Sequence, residues 1–176
     1  MKKYLLIFSF MLSGFLSYSQ VGISISPALA WDKTKVIGIG LGSAAGTNFG
    51  ASVGVTYKAG ITDQIAIQPD LSFGMVFVEG SSSKALGLGA TLNYYLGDNL
   101  EGFYIAAGPG IGYSLEGNYE GVNELGVSIV TGAGYDTGNM QIGAYFGLGL
   151  TNAIEGGGDI ASVKGRSAGI QVAVFF

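Results

Sequence analysis

The sequence predicts an all-β fold: an eight-stranded antiparallel up-and-down transmembrane β-barrel whose large apolar side chains point outward. Three observations carry this expectation. Apolar residues alternate with small or polar ones at a period of two, segment after segment. The second face is Gly, Ser, Ala and Thr, almost without charge. The chain also holds 32 Gly and only 11% charged residues in 176, against averages near 7% and 25% in soluble domains.

Residues 1–19 read as a signal peptide rather than as fold. Lys2 and Lys3 precede an apolar run from Tyr4 to Leu16, too short to cross a bilayer and of the length of an export signal. Ser17-Tyr18-Ser19 supplies small residues where a signal peptidase inspects, so cleavage is expected after Ser19. Residues 20–176 then form one barrel domain. The chain has no Cys, so no lipid anchor is expected at the cut.

The strands follow in order. Val21, Ile23, Ile25, Pro27, Leu29 and Trp31 alternate with Gly22, Ser24, Ser26, Ala28 and Ala30. Phe49, Ala51, Val53, Val55 and Tyr57 oppose Gly50, Ser52, Gly54, Thr56 and Lys58, and Ile65 to Phe77 opposes Gln68, Asp70, Ser72 and Gly74. Leu86, Leu88, Ala90, Leu92 and Tyr94 form the next apolar row, and Phe103, Ile105, Ala107, Pro109, Ile111 and Tyr113 the one after. Leu125 to Tyr135, Met140 to Leu150 and Ala168 to Phe176 complete the set.

In a soluble barrel the second face would carry Lys, Glu and Asp toward water. Here that face suits a narrow lumen, and the bulky face suits lipid. Closure is required, because an open edge in lipid leaves backbone groups unpaired. Trp31, Tyr57, Phe77, Tyr94, Phe103, Tyr113 and Tyr135 lie near strand ends on the outward parity, as interfacial aromatics do. The connections alternate, with links at 32–48, 79–84, 116–123 and 152–165 and turns near 62–64, 98–102 and 137–139. The turns are expected to face the periplasm and the links the exterior.

One stretch admits other readings. From Val36 to Tyr57 no residue is charged, and Gly38, Gly42, Gly46, Gly50 and Gly54 recur every fourth residue, a spacing that packs membrane helices. The alternation of Ile37, Ile39 and Leu41 with Gly38, Gly40 and Gly42 favours a strand. An extra strand or an extended loop hairpin over Lys35 to Ser43 is the alternative, with ten strands in place of eight.

The chain has neither Cys nor His, which removes thiolate and imidazole metal sites and any Ser-His-Asp triad. No enzyme, catalytic residue, cofactor or metal is expected. Gly108-Pro109-Gly110-Ile111-Gly112 lacks the Lys-Ser/Thr ending of a phosphate loop. Without Lys2 and Lys3, the 8 basic residues fall to six against 12 acidic ones, so nucleic acid is not an expected partner.

The residues resemble a known family, the small outer-membrane β-barrels common in Bacteroidetes, PorT-like and of OmpX or OmpA size. The carriers are Ile67-Gln68-Pro69-Asp70-Leu71, Tyr104-Ile105-Ala106-Ala107-Gly108-Pro109, Gly147-Leu148-Gly149-Leu150-Thr151-Asn152 and the terminal aromatic. Asp70 stands where the family pattern has Glu. The resemblance implies residence in the cell outer membrane and insertion by the barrel assembly machinery, with Phe176, Val174 and Val172 as the assembly signal. It assigns no activity.

Within the lumen, Lys58 and Asp70 share the inward parity on strands joined by a short turn, so a structural ion pair between them is expected. Glu124 and Asp136 read as rim residues, and Tyr95, Tyr104, Tyr145 and Phe175 as lumen filling. The expected function is a structural or surface-interaction role carried by the extracellular loops of a monomer in outer-membrane lipid, with the extracellular partner left open. Two alternatives stand beside it: a narrow channel or carrier for small hydrophobic solutes, and a secreted soluble β-barrel with a lipid-like ligand inside.

Overall fold

A computed structural model describes residues 19–36, 47–78, 81–115, 125–151 and 161–176. Eight antiparallel strands run β1 (Ser19–Val36), β2 (Thr47–Gly60), β3 (Ile65–Val78), β4 (Ser81–Tyr95), β5 (Gly102–Ser114), β6 (Leu125–Asp136), β7 (Met140–Gly149) and β8 (Ala161–Phe175). Each pairs with its sequence neighbours, and β8 pairs with β1 to close the barrel. Residues 47–57 are strand rather than helix, and the eight described strands close on themselves, while residues 37–43 of the extra-strand alternative lie outside the described residues. Residues 1–18, expected as most of a signal peptide, Gly38–Gly42, Glu124 and the loop residues Glu155, Gly156, Gly157, Gly158 and Asp159 lie outside the described residues.

The alternation read in the sequence sets which way every side chain faces. Ile25, Val55, Leu71, Leu88, Ile105 and Ile170 stand more than half exposed on the outer surface, while Ser24, Thr56, Gln68, Asn93 and Gln141 are buried inside. A soluble barrel with a lipid-like ligand requires the reverse arrangement.

The three prolines explain where the ladders break. Pro27 on β1, Pro69 on β3 and Pro109 on β5 each keep a partner on one side, namely Ala51, Ala90 and Ile129. On their other sides the β1–β8, β2–β3 and β4–β5 pairings each skip two residue pairs around the proline. Proline has no N–H to donate, so one ladder must open there. Beside the third gap, Gly108 lies so close to β4 that a Cβ would fall on the Ala90 carbonyl oxygen. Only glycine permits that approach.

Three differences from the sequence reading concern strand ends. Residues 81–84, expected in a link, begin β4 and pair from Met75↔Lys84 to Val78↔Ser81. Residues 32–36 and 161–165, expected in loops, extend β1 and β8 and pair from Asp32↔Gly165 to Val36↔Ala161. Charges interrupt the apolar pattern in this extension but not the hydrogen-bond ladder.

Candidate functional site: a lumen sealed at one end

Lys58, near the end of β2, and Asp136, the last residue of β6, meet across the lumen, Nζ to Oδ2 at 3.2 Å, with side chains 4% and 0% exposed. The expected partner of Lys58 was Asp70, and the structure corrects this. Asp70 pairs with Thr56, one inward position farther from the β2–β3 turn than Lys58, and its carboxylate lies over Gly89 of β4. Asp136 sits instead at the same end of the barrel as Lys58. The closed cross-section, rather than the neighbouring strand, therefore chooses the ion partner.

Asp136 is held from all sides. Its Oδ2 accepts from Tyr95 Oη at 3.0 Å and Gln141 Nε2 at 3.3 Å, and its Oδ1 from the Gly138 amide at 2.7 Å. Lys58 also donates to the Gly138 carbonyl at 3.2 Å and stands 4.6 Å from the centre of the Phe175 ring. Gly138 adopts φ +90 in the β6–β7 turn, a conformation glycine reaches without strain. The network continues upward: Gln68 Nε2 donates to Gln141 Oε1 at 3.1 Å, Asn93 Nδ2 to Gln68 Oε1 at 2.8 Å, and Thr91 Oγ1 to Asn93 Oδ1 at 2.9 Å. A buried polar cluster stabilises only when its members find partners, and these do.

Aromatic packing closes the same end. Tyr95 and Tyr104 lie 5.6 Å apart between ring centres, and they pack with Ala66 and Leu100 in one cluster. Leu100, expected in a turn, folds back as a buried lid while its amide donates to the Asp63 carbonyl at 3.0 Å. Of the expected filling residues, Tyr95, Tyr104 and Phe175 are buried in this plug, whereas Tyr145 lines the cavity above it.

Toward the long-connection end lies a space of about 350 Å³ lined by Ala30, Gly112, Gly126, Ser128, Gly147 and Ser167, and above the plug the lumen holds a cavity of about 270 Å³. Its walls include Ser24, Ser26, Ser52, Ser72, Asp70 and Gln171. Asp70 has neither ion pair nor hydrogen bond among the described residues. The lumen is thus a cup, plugged at the short-turn end and small-walled above.

The outward aromatics fall at two levels. Tyr57, Tyr94, Phe103, Tyr135 and Phe176 ring the short-turn end, with Phe103 edge-on to Tyr135 at 5.0 Å. Trp31, Phe49, Phe77 and Tyr113 mark the opposite level, where Phe49 stacks on Phe77 at 6.2 Å and Trp31 lies 6.1 Å from Phe146. Val172 and Val174 share the outward parity of β8 and pair with Ile142 and Met140.

The Gln68, Asn93 and Gln141 triad escaped the sequence reading. A signal was present, since all three have inward parity near short turns and Gln141 faces Asp136 across one of them. No family model and no curated protein matches this chain. Among solved structures it is similar to Neisserial surface protein A, with 18% identity, 88% of this chain and 97% of that chain covered, and a TM-score of 0.51. Ail, the attachment invasion locus protein of Yersinia pestis, gives 16% identity, 88% and 99% coverage and a TM-score of 0.45. The N-terminal β-barrel domain of Pseudomonas aeruginosa OprF gives 17%, 87% and 97%, and 0.44. The fold is that of the small eight-stranded barrels represented by Neisserial surface protein A.

Proposed function

We propose that this chain is an exported, monomeric outer-membrane barrel that does not conduct, and that its role is structural or surface-interactive through the long connections. The observation that carries this reading is the plug. Lys58, Asp136, Tyr95, Gln141 and Phe175 fill the short-turn end while the outer surface is apolar. Eight-stranded barrels are just wide enough for side chains to fill, and a filled end leaves the long connections as the functional surface. Tyr57, Tyr94 and Tyr135 then serve one membrane interface and Trp31, Phe77 and Tyr113 the other, with outer-membrane lipid as the solvent for the rows between. Residues 1–19 direct export, and Phe176 with Val174 and Val172 presents the last strand to the barrel assembly machinery. The PorT-like sequence features support membership of that Bacteroidetes group.

Conductance of the refolded chain in planar bilayers, with heat-modifiable gel mobility reporting the folded barrel, tests the reading. A folded and electrically silent barrel is expected, and Tyr95→Ala combined with Tyr104→Ala should introduce conductance steps. Steps in the unaltered chain that vanish in Gly110→Trp would establish the channel reading instead. The 270 Å³ cup favours that second reading only for its upper half.

A further inference from the structure

Above the plug, the polar side chains of the lumen rest on glycines of the neighbouring strand. Asp70 pairs with Gly89 and Ser72 with Gly87, and a Cβ on either glycine would stand 2.6 Å from the Asp70 Oδ1 or the Ser72 Oγ. Gly110 gives the same room to its partner Ser128, whose Oγ would be 2.9 Å from a Cβ, and Gly54 to its partner Ser24, at 3.2 Å. An eight-stranded barrel is narrow enough for side chains to fill it, as Tyr95 and Tyr104 do in the plug. The glycine and polar pairs instead hold the side chains against the wall and keep the cavity of about 270 Å³ clear. It adjoins the space of about 350 Å³ nearer the long connections, since Gly112, Ser128 and Val130 line both.

The chemistry of the cavity is one-sided. Asp70 is the one charged group among the described residues that line it, and it has neither ion pair nor hydrogen bond among them. Asp136 in the plug, by contrast, accepts from Lys58, Tyr95, Gln141 and the Gly138 amide. A carboxylate withdrawn from bulk water gains from a cation that also donates hydrogen bonds to it. Arg166, the one cation among the described residues lining the upper space, sits at the outward register between Trp31 and Leu148. Serine hydroxyls both donate and accept, as recognition of a polyol requires. Tyr145 lines the same cavity with its ring laid across Gly169, which adds an aromatic wall for an apolar or cationic face.

We propose that the upper lumen binds a small ammonium-bearing polyol of the amino-sugar class, its ammonium on the Asp70 carboxylate and its ring against Tyr145. The plug closes the pocket below, so binding needs no conduction. The inference goes beyond the surface role proposed above, and it stands or falls separately from it.

The test titrates glucosamine and glucose, which differ by one ammonium, into the full refolded barrel in neutral detergent micelles and follows the backbone amide resonances. At about pH 6 the amine is protonated. Saturable shifts at Gly89 and Gly112, with glucosamine about tenfold tighter than glucose, are expected. Asp70→Asn should remove the preference for glucosamine. Gly112 has nothing within 4 Å of its Cβ position and lines both spaces, so Gly112→Phe should fill the pocket and abolish binding of both sugars. Heat-modifiable mobility identifies the variants that fold. Equal affinity for the two sugars, or an unchanged preference in folded Asp70→Asn, overturns the role of the carboxylate. Shifts confined to residues outside the lumen, or binding unchanged in folded Gly112→Phe, overturn the site. Displacement of glucosamine by an equal concentration of potassium chloride overturns the ligand class in favour of a plain cation site.

Discussion

Lys58 Nζ contacts Asp136 Oδ2 at 3.2 Å across the lumen, joining β2 to β6, two strands that share no hydrogen-bond ladder. The pair braces the barrel cross-section from inside. Both charges are removed from water, so their mutual attraction and the donors on Asp136 together must offset desolvation.

Removing one partner leaves the other uncompensated. Asp136→Ala or Lys58→Met is expected to cost about 3–5 kcal/mol in urea unfolding of the vesicle-embedded barrel. The double variant should cost less than the sum of the two. Asp70→Asn, which breaks no ion pair, should stay within about 0.5 kcal/mol; a larger loss there than at Asp136 would restore the pairing with Asp70.

A second prediction concerns the outer surface. Leu71 pairs with Leu88 near the middle of β3 and β4, and the two are 56% and 57% exposed. Leu71→Arg or Leu88→Arg should cost about 2–4 kcal/mol of folding in lipid. Refolding yield and urea midpoint unchanged from the parent chain would reverse the assigned faces.

Much of this architecture was legible because the period of two is a direct consequence of strand geometry. The rows Ile142 to Leu148 and Ala168 to Val174 announced β7 and β8, and the uncharged second face announced the inversion. The upper ends of β1 and β8 were illegible for a physical reason. Asp32, Lys33, Lys35, Lys164 and Arg166 rise past the apolar rows, where alternation of hydrophobicity ends but hydrogen bonding does not. The partner of Lys58 was hidden for a different reason, since Asp136 is 78 residues away and only closure brings it near. Inward parity identified both residues and could not pair them.

Close backbone packing gives a third prediction. A Cβ on Gly108 would meet the Ala90 carbonyl and lie 2.8 Å from the Thr91 Cα, atoms that cannot rotate away. Gly108→Val should destabilise by about 1–3 kcal/mol. Gly112 has nothing within 4 Å of its own Cβ position, so Gly112→Ala should be near neutral in the same unfolding assay.

The proposed assembly role of Phe176 is tested by separating folding from delivery. Phe176 is 80% exposed and its amide donates to the Val21 carbonyl at 2.9 Å, so its ring adds little to the packed barrel. Deleting it should lower the amount of assembled barrel in cells several-fold while detergent refolding proceeds as before. Equal assembly in cells would remove Phe176 from the assembly signal.

The central claim is that the outer face is solvated by lipid, and Trp31 offers the most direct test because it is the single Trp of the chain. The refolded barrel would be placed in vesicles whose lipids carry bromine at defined acyl depths, and the fluorescence quenching of Trp31 recorded. Quenching strongest for bromines nearest the headgroups is the result this account predicts, since Trp31 belongs to the aromatic level at one membrane interface. Fluorescence insensitive to bromine at every depth, from a chain that shows heat-modifiable mobility, would contradict it.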